Sequence, residues 1–222
     1  MVMDMILEDG KICRDLRRAG EWEPEVADAI ELYANKDWTF VDLGAHVGFF
    51  TLMASRLFKN VIAAEPQPKA WTTLIHNLTL NEVTNVEVHN AAVWDTNEGA
   101  EMYLVEPNTG MSWITRKSKE GAMAVPTMTL PEILGERRPE FWKIDIEGSE
   151  YTALKECPEV LENAHVIVTE YCTSQLERTS NATGRMYYDV LGDFCWHTLK
   201  GKPVNFDVLP TGGYDNFLLF RR

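Results

Sequence analysis

The sequence predicts an α/β fold built on a mostly parallel, seven-stranded sheet with a terminal antiparallel hairpin and helices on both faces. Along most of the chain, short apolar runs alternate with amphipathic helical patterns, which indicates βαβ units and a parallel sheet. Near the end, two strand-like runs are separated only by a polar loop with two prolines and two glycines, so they are expected to pair as a hairpin. The composition, 45% hydrophobic and 25% charged, is ordinary for a globular protein.

The first 37 residues are predicted to be a helical segment that packs on the core, ahead of one domain over residues 38–222. In the stretch EWEPEVADAIELYAN, Pro24 suits a first helical turn. Apolar residues then recur at helical spacing on one face, at Val26, Ala29, Ile30 and Tyr33.

Five runs are predicted to be the parallel strands, because strands buried on both faces read as near-continuous apolar segments. They are Trp38–Leu43, Val61–Glu65, Val86–Val93, Phe141–Ile146 and His165–Tyr171. Helices are predicted over Phe49–Phe58, Lys69–Leu80 and Tyr151–Leu161. The hairpin strands are Phe194–Leu199 and Asn216–Phe220, and the loop between them holds Pro203, Pro210, Gly212 and Gly213.

One stretch, at about residues 94–130, breaks the alternation. It holds two short β-like runs, Glu101–Val105 and Ala122–Met128, on either side of the polar segment PNTGMSWITRKSKEG. We interpret it as an inserted hairpin or flap beside the sheet.

Charge and cysteine content narrow the choice of partners and compartment. The net charge of −13 repels phosphate backbones and anionic membranes, so nucleic acid is an unlikely partner. No apolar run approaches the ~20 residues of a membrane span. The four cysteines show neither C-x-x-C nor zinc-ligand spacing, which favours free thiols in a reducing compartment. With an acidic start, MVMDMILEDG, the protein is expected to be cytoplasmic.

The turn after the first strand, VDLGAHVGFF, carries the first candidate binding residues. Gly44 and Gly48 allow a tight turn and a close approach of the backbone to a ligand, next to Asp42 and Ala45. The pattern is close to the D-x-G-x-G-x-G of S-adenosylmethionine (SAM) sites, with His46 in place of the middle glycine. Histidine is enriched at positive φ, so it suits that position. Taken alone, such a turn is weak evidence and is also compatible with a plain strand end.

Two further strand ends add candidates. Glu65 ends the second run 23 positions after Asp42, where a carboxylate accepts hydrogen bonds from ribose hydroxyls in such folds, and Pro66 stops the strand there. The third run ends near Asn90 and Ala91. These two residues suit an adenine edge and face, although Asn90 equally suits the cap of a turn.

The fourth run places charges at the same rim of the sheet. Strand alternation puts Lys143, Asp145 and Glu147 of KIDIEGSE on one face, where burial requires pairing or a function. Asp145 and Glu147 lie nearest the carboxyl end, and Glu170 ends the fifth run. The alternative is an internal Lys143–Asp145 ion pair and a helix N-terminus made from Glu147, Ser149 and Glu150, and both interpretations can hold together.

These motifs together resemble the FkbM-type family of SAM-dependent methyltransferases. The matching stretches occur in family order over roughly residues 22–220: FVDLGAHVGFFT, AAEPQPKAWTTLIHNLTLN, VHNAAVWD, VPTMTLPEIL, WKIDIEGSEYTALK, VIVTEY and DNFLLF. Five parallel strands and a terminal hairpin are also the arrangement of the Rossmann-like class I methyltransferase sheet. His46 stands where the family commonly has Asn.

The resemblance implies methyl transfer from SAM, usually to an oxygen of a small molecule, sugar or natural-product scaffold, with S-adenosylhomocysteine as the product. It implies that Asp42, Gly44 and Gly48 line the methionine end of SAM and that Glu65 binds the ribose. It places Asn90 and Ala91 near adenine, and Asp145 near the transferred methyl group.

A hydroxyl acceptor must lose its proton, and the candidate bases are Asp145, Glu147 and Glu170, then His46. No metal ligands are assigned, although a metal-assisted route through Asp145 and Glu170 remains open. The alternatives are a non-catalytic SAM-fold binding protein and a nicotinamide-dependent oxidoreductase. The missing G-x-G-x-x-G argues against the oxidoreductase. The sequence gives no indication of the oligomeric state.

Overall fold

The computed structural model of the chain describes residues 1–4, 11–106, 108–115, 120–210 and 214–222. Parts of three predicted segments therefore lie outside the described residues: 5–10 of the helical segment, 107 and 116–119 of the flap, and 211–213 of the hairpin loop. The side chain of Cys13 also lies outside them. The other cysteines, Cys157, Cys172 and Cys195, are free, as predicted.

The structure alternates strands and helices as the sequence predicts. In chain order the strands are β1 (Thr39–Leu43), β2 (Asn60–Ala64), β3 (Val86–His89), β4 (Ala92–Val93), β5 (Ala100–Tyr103), β6 (Trp113–Thr115), β7 (Ala122–Val125), β8 (Thr127–Met128), β9 (Phe141–Ile144), β10 (Val166–Tyr171), β11 (Phe194–Thr198), β12 (Pro203–Val204) and β13 (Asp215–Arg221). The α-helices are α1 (Ile12–Ala19), α2 (Pro24–Tyr33), α3 (Phe49–Leu57), α4 (Pro68–Leu80), α5 (Leu130–Leu134), α6 (Glu150–Leu154), α7 (Thr173–Ser180) and α8 (Gly184–Val190).

The main sheet confirms the predicted fold class. Its order is β12-β11-β13-β10-β9-β1-β2-β3. The five strands β3, β2, β1, β9 and β10 are parallel, and β13 lies antiparallel between β10 and β11. Strand order reverses beside β1, since β2 lies on one side of it and β9 on the other. Ligands bind in such sheets at the carboxyl ends of the strands where the order reverses.

Side-chain alternation along the strands separates two apolar cores, one on each face of the sheet. On one face, Val41 of β1 and Trp142 of β9 are fully buried against residues of α5 to α8. On the other face, Phe40 and Phe141 of the same strands are buried against residues of α1, α2 and α3. Polar side chains in β1 and β9 therefore point toward the α3 face, among them Asp42.

The third strand is shorter than predicted. The run Val86–Val93 divides into β3 and β4, and β4 leaves the main sheet to pair with β8 in a separate two-stranded sheet. Asn90 lies at the break, and its side-chain amide donates a hydrogen bond to the backbone carbonyl of Glu65 at 3.0 Å. The polar side chain thus ends β3 at the carboxyl edge of the sheet.

Two other differences concern short strands that local patterns do not predict. The predicted two-stranded flap is a three-stranded antiparallel sheet, because Trp113–Thr115 in the polar segment pairs with β5. Ile114 is its one buried residue, and a single buried position gives no alternation. The hairpin loop adds the edge strand β12, which makes eight strands among the described residues. Pro203 is tolerated there because an edge strand has an unpaired side.

The helices after the fourth strand also differ from the prediction. The predicted helix Tyr151–Leu161 is divided into α6 and a 3₁₀ turn at Pro158–Leu161, because proline cannot continue a helix. Between β10 and β11, α7 and α8 were not predicted. None of the helices in the described part of the chain is both long and apolar enough to cross a membrane.

Candidate active site

A cavity of about 290 Å³ lies at the carboxyl ends of β1, β2, β9 and β10. It brings together nine of the twelve predicted site residues: Gly44, Ala45, His46, Glu65, Pro66, Ala91, Asp145, Glu147 and Glu170. The flap closes one side with Asn108, Thr109 and Ser112, and the N-terminal segment adds Lys11, Trp22 and Glu23. The remaining predicted residues, Asp42, Gly48 and Asn90, do not line the cavity.

The turn after β1 has the conformation that its glycines and histidine predict. Gly44 has φ +83° and packs so closely on β9 that an added Cβ would lie 1.8 Å from the carbonyl oxygen of Asp145. His46 has φ +50°, the positive value expected for a residue in place of a glycine. Its ring nitrogen Nε2 is 2.8 Å from the hydroxyl of Thr109, so the turn and the flap are joined by a hydrogen bond.

Glu65 is fixed by the backbone on either side of it. Its carboxylate accepts hydrogen bonds from the N–H of His46 at 2.9 Å and of Gln67 at 2.7 Å. The residue is only 5% exposed, and this burial raises its pKa although His46 and the two N–H groups oppose the shift. Each carboxylate oxygen keeps a second lone pair for a ligand in the cavity.

The wall beside Glu65 is apolar. Ala91, Ala92 and Val93 follow the end of β3, and Met102 and Ile114 of the flap complete the wall. Such a surface suits a flat aromatic ligand. The amide of Asn90 is used by the carbonyl of Glu65, so the contact between Asn90 and adenine stays a prediction.

Asp42 lies beneath the turn and not on the cavity surface. It is fully buried, accepts a hydrogen bond from the hydroxyl of Thr51 at 2.6 Å, and lies 3.5 Å from the ammonium of Lys143. Gly48, with φ +90°, is the N-cap residue of α3 behind the turn. Both residues hold the turn from behind, and a direct contact of either with a cofactor stays a prediction.

Lys143 is the buried cation that joins β1 to β9. Its ammonium lies 3.2 Å from the carboxylate of Asp145, which confirms the internal ion pair that the sequence left open. Burial lowers the pKa of Lys143, but Asp145, Asp42 and Glu23 outweigh that effect and hold the pKa above its ordinary value. Lys143 therefore stays protonated, which burial alone would oppose.

Glu147, Glu150 and Glu170 surround Asp145 and make this end of the cavity acidic. Burial, the charge of Asp145 and then that of Glu150 raise the pKa of Glu147 to about 8. Burial raises the pKa of Glu150 to about 7, although its carboxylate accepts hydrogen bonds from the N–H groups of Ile146 and Gly148. Burial and the charges of Asp145 and Glu147 raise the pKa of Glu170 to about 10. The raised pKa values reflect the crowding of buried carboxyl groups at this end.

Glu23 is a cavity residue that the sequence analysis missed. It precedes α2 with φ +44°, an unusual conformation for a residue other than glycine, which costs roughly 1–2 kcal/mol. Burial and then the charge of Asp145 raise its pKa to about 7, and Lys143 and Lys11 oppose the shift. Helical periodicity assigns Glu23 only to a helix start, so no local pattern indicates that the N-terminal segment reaches the site.

The comparison with protein families decides the family of the chain. The Methyltransferase FkbM domain matches residues 42–190, which is more than half of the 222-residue chain. The chain belongs to this family. The matched region begins at Asp42 and includes every predicted site residue. Glu23 precedes it, so the N-terminal wall of the cavity is outside the family match.

A curated relative agrees with this assignment. Methyltransferase 1 of Beauveria bassiana (strain ARSEF 2860) is 25% identical over 170 residues, which cover 63% of this chain and 66% of the fungal protein. The FkbM-family chain thus spans slightly less than two thirds of that relative's length.

Solved structures of similar fold include two methyltransferases. One is methyltransferase FkbM from Methylobacillus flagellatus KT, with a TM-score of 0.52 and 19% identity, covering 83% of this chain and 43% of that one. The other is SMU.1697c, a putative methyltransferase from Streptococcus mutans in complex with S-adenosylhomocysteine. It has a TM-score of 0.51 and 13% identity, and the match covers 91% of this chain and 99% of that one. At these identities the likeness shows the fold alone. The family match argues against the nicotinamide-dependent oxidoreductase.

Proposed function

We propose that this FkbM-family methyltransferase uses SAM as its donor and transfers the methyl group to a hydroxyl oxygen of a small molecule. The observation that carries the proposal is the placement of two acidic groups on either side of the β1 turn. Glu65 follows β2 on one side, and Asp145 follows β9 on the other. SAM laid across the turn presents its ribose to Glu65 and its sulfonium to Asp145.

Each part of the cavity has a role in this arrangement. The free lone pairs of Glu65 accept hydrogen bonds from the ribose hydroxyls, and the apolar wall from Ala91 to Val93 faces the adenine ring. The close packing of Gly44 on the backbone of Asp145 holds the β1 turn against the end of β9. The positive sulfonium gains from the negative field of the acidic end. The flap, bonded to His46 through Thr109, excludes water from the reaction.

The chemical step needs alignment and the removal of one proton. The methyl carbon forms a bond to the acceptor oxygen as its bond to sulfur breaks, which leaves S-adenosylhomocysteine. The acceptor proton passes to a carboxylate at the acidic end, where Asp145, Glu147 and Glu170 are the candidates. Glu23 faces the same space from the N-terminal segment and is a fourth candidate.

The acceptor is more consistent with a small neutral or cationic molecule than with RNA. Solved chains of similar fold include rRNA methylases. Their acceptors carry a phosphate on every nucleotide, whereas this chain has a net charge of −13 and its cavity ends in a group of carboxylates. Binding of a polyanion at that end is opposed by charge repulsion. A methyl group transferred to purified rRNA by this protein would overturn this part of the proposal.

Calorimetric titration of the purified protein with SAM, S-adenosylhomocysteine and NAD tests the proposed donor. We expect both SAM-type ligands to bind and NAD not to bind. Glu65→Gln is expected to weaken SAM at least tenfold, because an amide has one acceptor oxygen in place of two and must already face two backbone N–H donors.

The matched control is Glu98→Gln, which makes the same change at an exposed position. Thermal unfolding of both variants verifies that they are folded. Binding of NAD alone would contradict the proposal, and so would unchanged SAM affinity in folded Glu65→Gln.

A further inference from the structure

Three carboxylates converge at the acidic end of the cavity from two neighbouring strands. Asp145 and Glu147 follow β9, and Glu170 lies near the end of β10. One oxygen of each lies within 4.8 Å of one oxygen of each of the others. From the sequence no metal ligands were assigned, although a metal-assisted route through Asp145 and Glu170 was left open. The group contains neither histidine nor cysteine. It is composed only of hard oxygen donors.

Two cations among the described residues, Lys143 and Arg178, lie at this end, and both also have partners outside the three-carboxylate cluster. Lys143 is shared between Asp145 and the fully buried Asp42. The guanidinium of Arg178 lies 4.1 Å from the ring centre of Trp113 and donates a hydrogen bond to the backbone carbonyl of Glu147. Its charge lowers the pKa of Glu147, but burial and the charges of Asp145 and Glu150 outweigh that effect. The carboxylate of Glu147 receives a neutral hydrogen bond from Gln175 at 2.6 Å. Three carboxyl groups thus face two cations that are shared with other partners, and no cation of the described residues is paired with the carboxylate of Glu170.

Two buried oxygens on the same cavity wall have no hydrogen-bond partner in the described part of the chain. The hydroxyl of Ser149 is one of them, although the residue is only 1% exposed and occupies the N-cap of α6, where a serine ordinarily bonds a backbone N–H. The other is Oε2 of Glu170. Buried polar atoms without a partner are rare and costly, so both atoms indicate a ligand in this part of the cavity.

We infer that Asp145, Glu147 and Glu170 bind a divalent cation of the Mg²⁺ and Mn²⁺ class, with the hydroxyl of Ser149 bonded to the ion or to a water on it. Carboxylate oxygens are the preferred ligands of such ions, and small side-chain rotations bring three oxygens at this spacing onto one centre. A dication would also offset the mutual repulsion of the three carboxylates.

The role of the ion rests on the proposed function, whereas its binding does not. Bound beside Asp145, the cation would lie at the methyl-transfer end of the cavity, where it can orient the acceptor oxygen and favour its deprotonated form. The acceptor would then be a molecule that presents one or more oxygens to a hard cation.

Titration of the cofactor-free protein with Mn²⁺, followed by the electron paramagnetic resonance signal of free Mn²⁺, tests the site directly. We expect one bound Mn²⁺ per chain, displaced by Mg²⁺. Glu170→Gln is expected to weaken Mn²⁺ at least tenfold. Glu177→Gln is the matched control, because it makes the same charge change at an exposed position on the adjacent α7 and is expected to leave the affinity unchanged.

The outcomes separate the two proposals. Absence of Mn²⁺ binding by the folded protein at millimolar concentration overturns the site, and so does equal weakening in Glu170→Gln and Glu177→Gln. If SAM binds and Mn²⁺ does not, the proposed function stands and the cation site fails. If Mn²⁺ binds as expected and SAM does not, the cation site stands and its role in methyl transfer fails.

Discussion

Lys143→Met is expected to lower the free energy of unfolding by about 3–5 kcal/mol, one of the two largest effects of a single substitution in this protein. The side chain of Lys143 is 4% exposed, and its ammonium lies 3.2 Å from Asp145 and 3.5 Å from Asp42. Methionine fills a similar volume, so little packing is lost. The cost arises because removal of one partner leaves a buried carboxylate without a counter-charge, and Asp42 is fully buried. Chemical denaturation at neutral pH measures the effect.

Two further variants verify the cause of that loss. Lys155→Met removes a lysine whose ion pair with Asp95, at 2.9 Å, is partly exposed, and it is expected to cost less than 1 kcal/mol. Adding Asp42→Asn to Lys143→Met removes the buried carboxylate that has lost its counter-charge, and it is expected to restore part of the stability. A loss in Lys143→Met no greater than in Lys155→Met would show that the buried ion pair does not stabilise the fold.

Gly44→Ala is expected to reduce both stability and SAM binding. An alanine Cβ at this position would lie 1.8 Å from the carbonyl oxygen of Asp145 and 2.9 Å from its carbonyl carbon, both of them backbone atoms. Neither can rotate away, so the β1 turn must move off β9. We expect a loss of roughly 3 kcal/mol or more in unfolding free energy and at least a tenfold rise in the Kd for SAM.

The control for Gly44→Ala separates backbone strain from the close contact. Gly201 has φ +78°, close to the +83° of Gly44, but no atom within 4 Å of an added Cβ. Gly201→Ala therefore carries the left-handed strain alone, expected to be roughly 1–2 kcal/mol, and leaves SAM binding unchanged. If denaturation finds the two alanine variants equally stable, the contact with Asp145 is not the reason for glycine at position 44.

Much of the fold is predictable because its signals are local. Buried parallel strands need continuous apolar residues, so runs such as Trp38–Leu43 indicate strands without any tertiary information. Strand polarity then places their last residues, among them Glu65 and Asp145, at one edge of one sheet. The positive φ of His46 was also predictable, because the turn type requires it and histidine tolerates it.

The features that the sequence did not predict depend on contacts between segments that are distant along the chain. Glu23 reaches the cavity because α1 and α2 pack on the same core as α3, and no pattern near Glu23 contains that information. The amide of Asn90 is used by the carbonyl of Glu65, a contact between two strand ends. The three-carboxylate cluster joins Glu170 of β10 to two residues of the segment after β9. Because these segments are far apart in the sequence, no local motif indicates the cluster.

The measurement that tests the central claim most directly is a crystal structure of the protein soaked with S-adenosylhomocysteine. The predicted result is a ligand across the β1 turn, with its ribose hydroxyls on the carboxylate of Glu65, its adenine against Ala91 to Val93 and its sulfur toward Asp145. A ligand bound elsewhere would contradict the account, and so would one inside the cavity with its ribose at the acidic end and its sulfur beside Glu65.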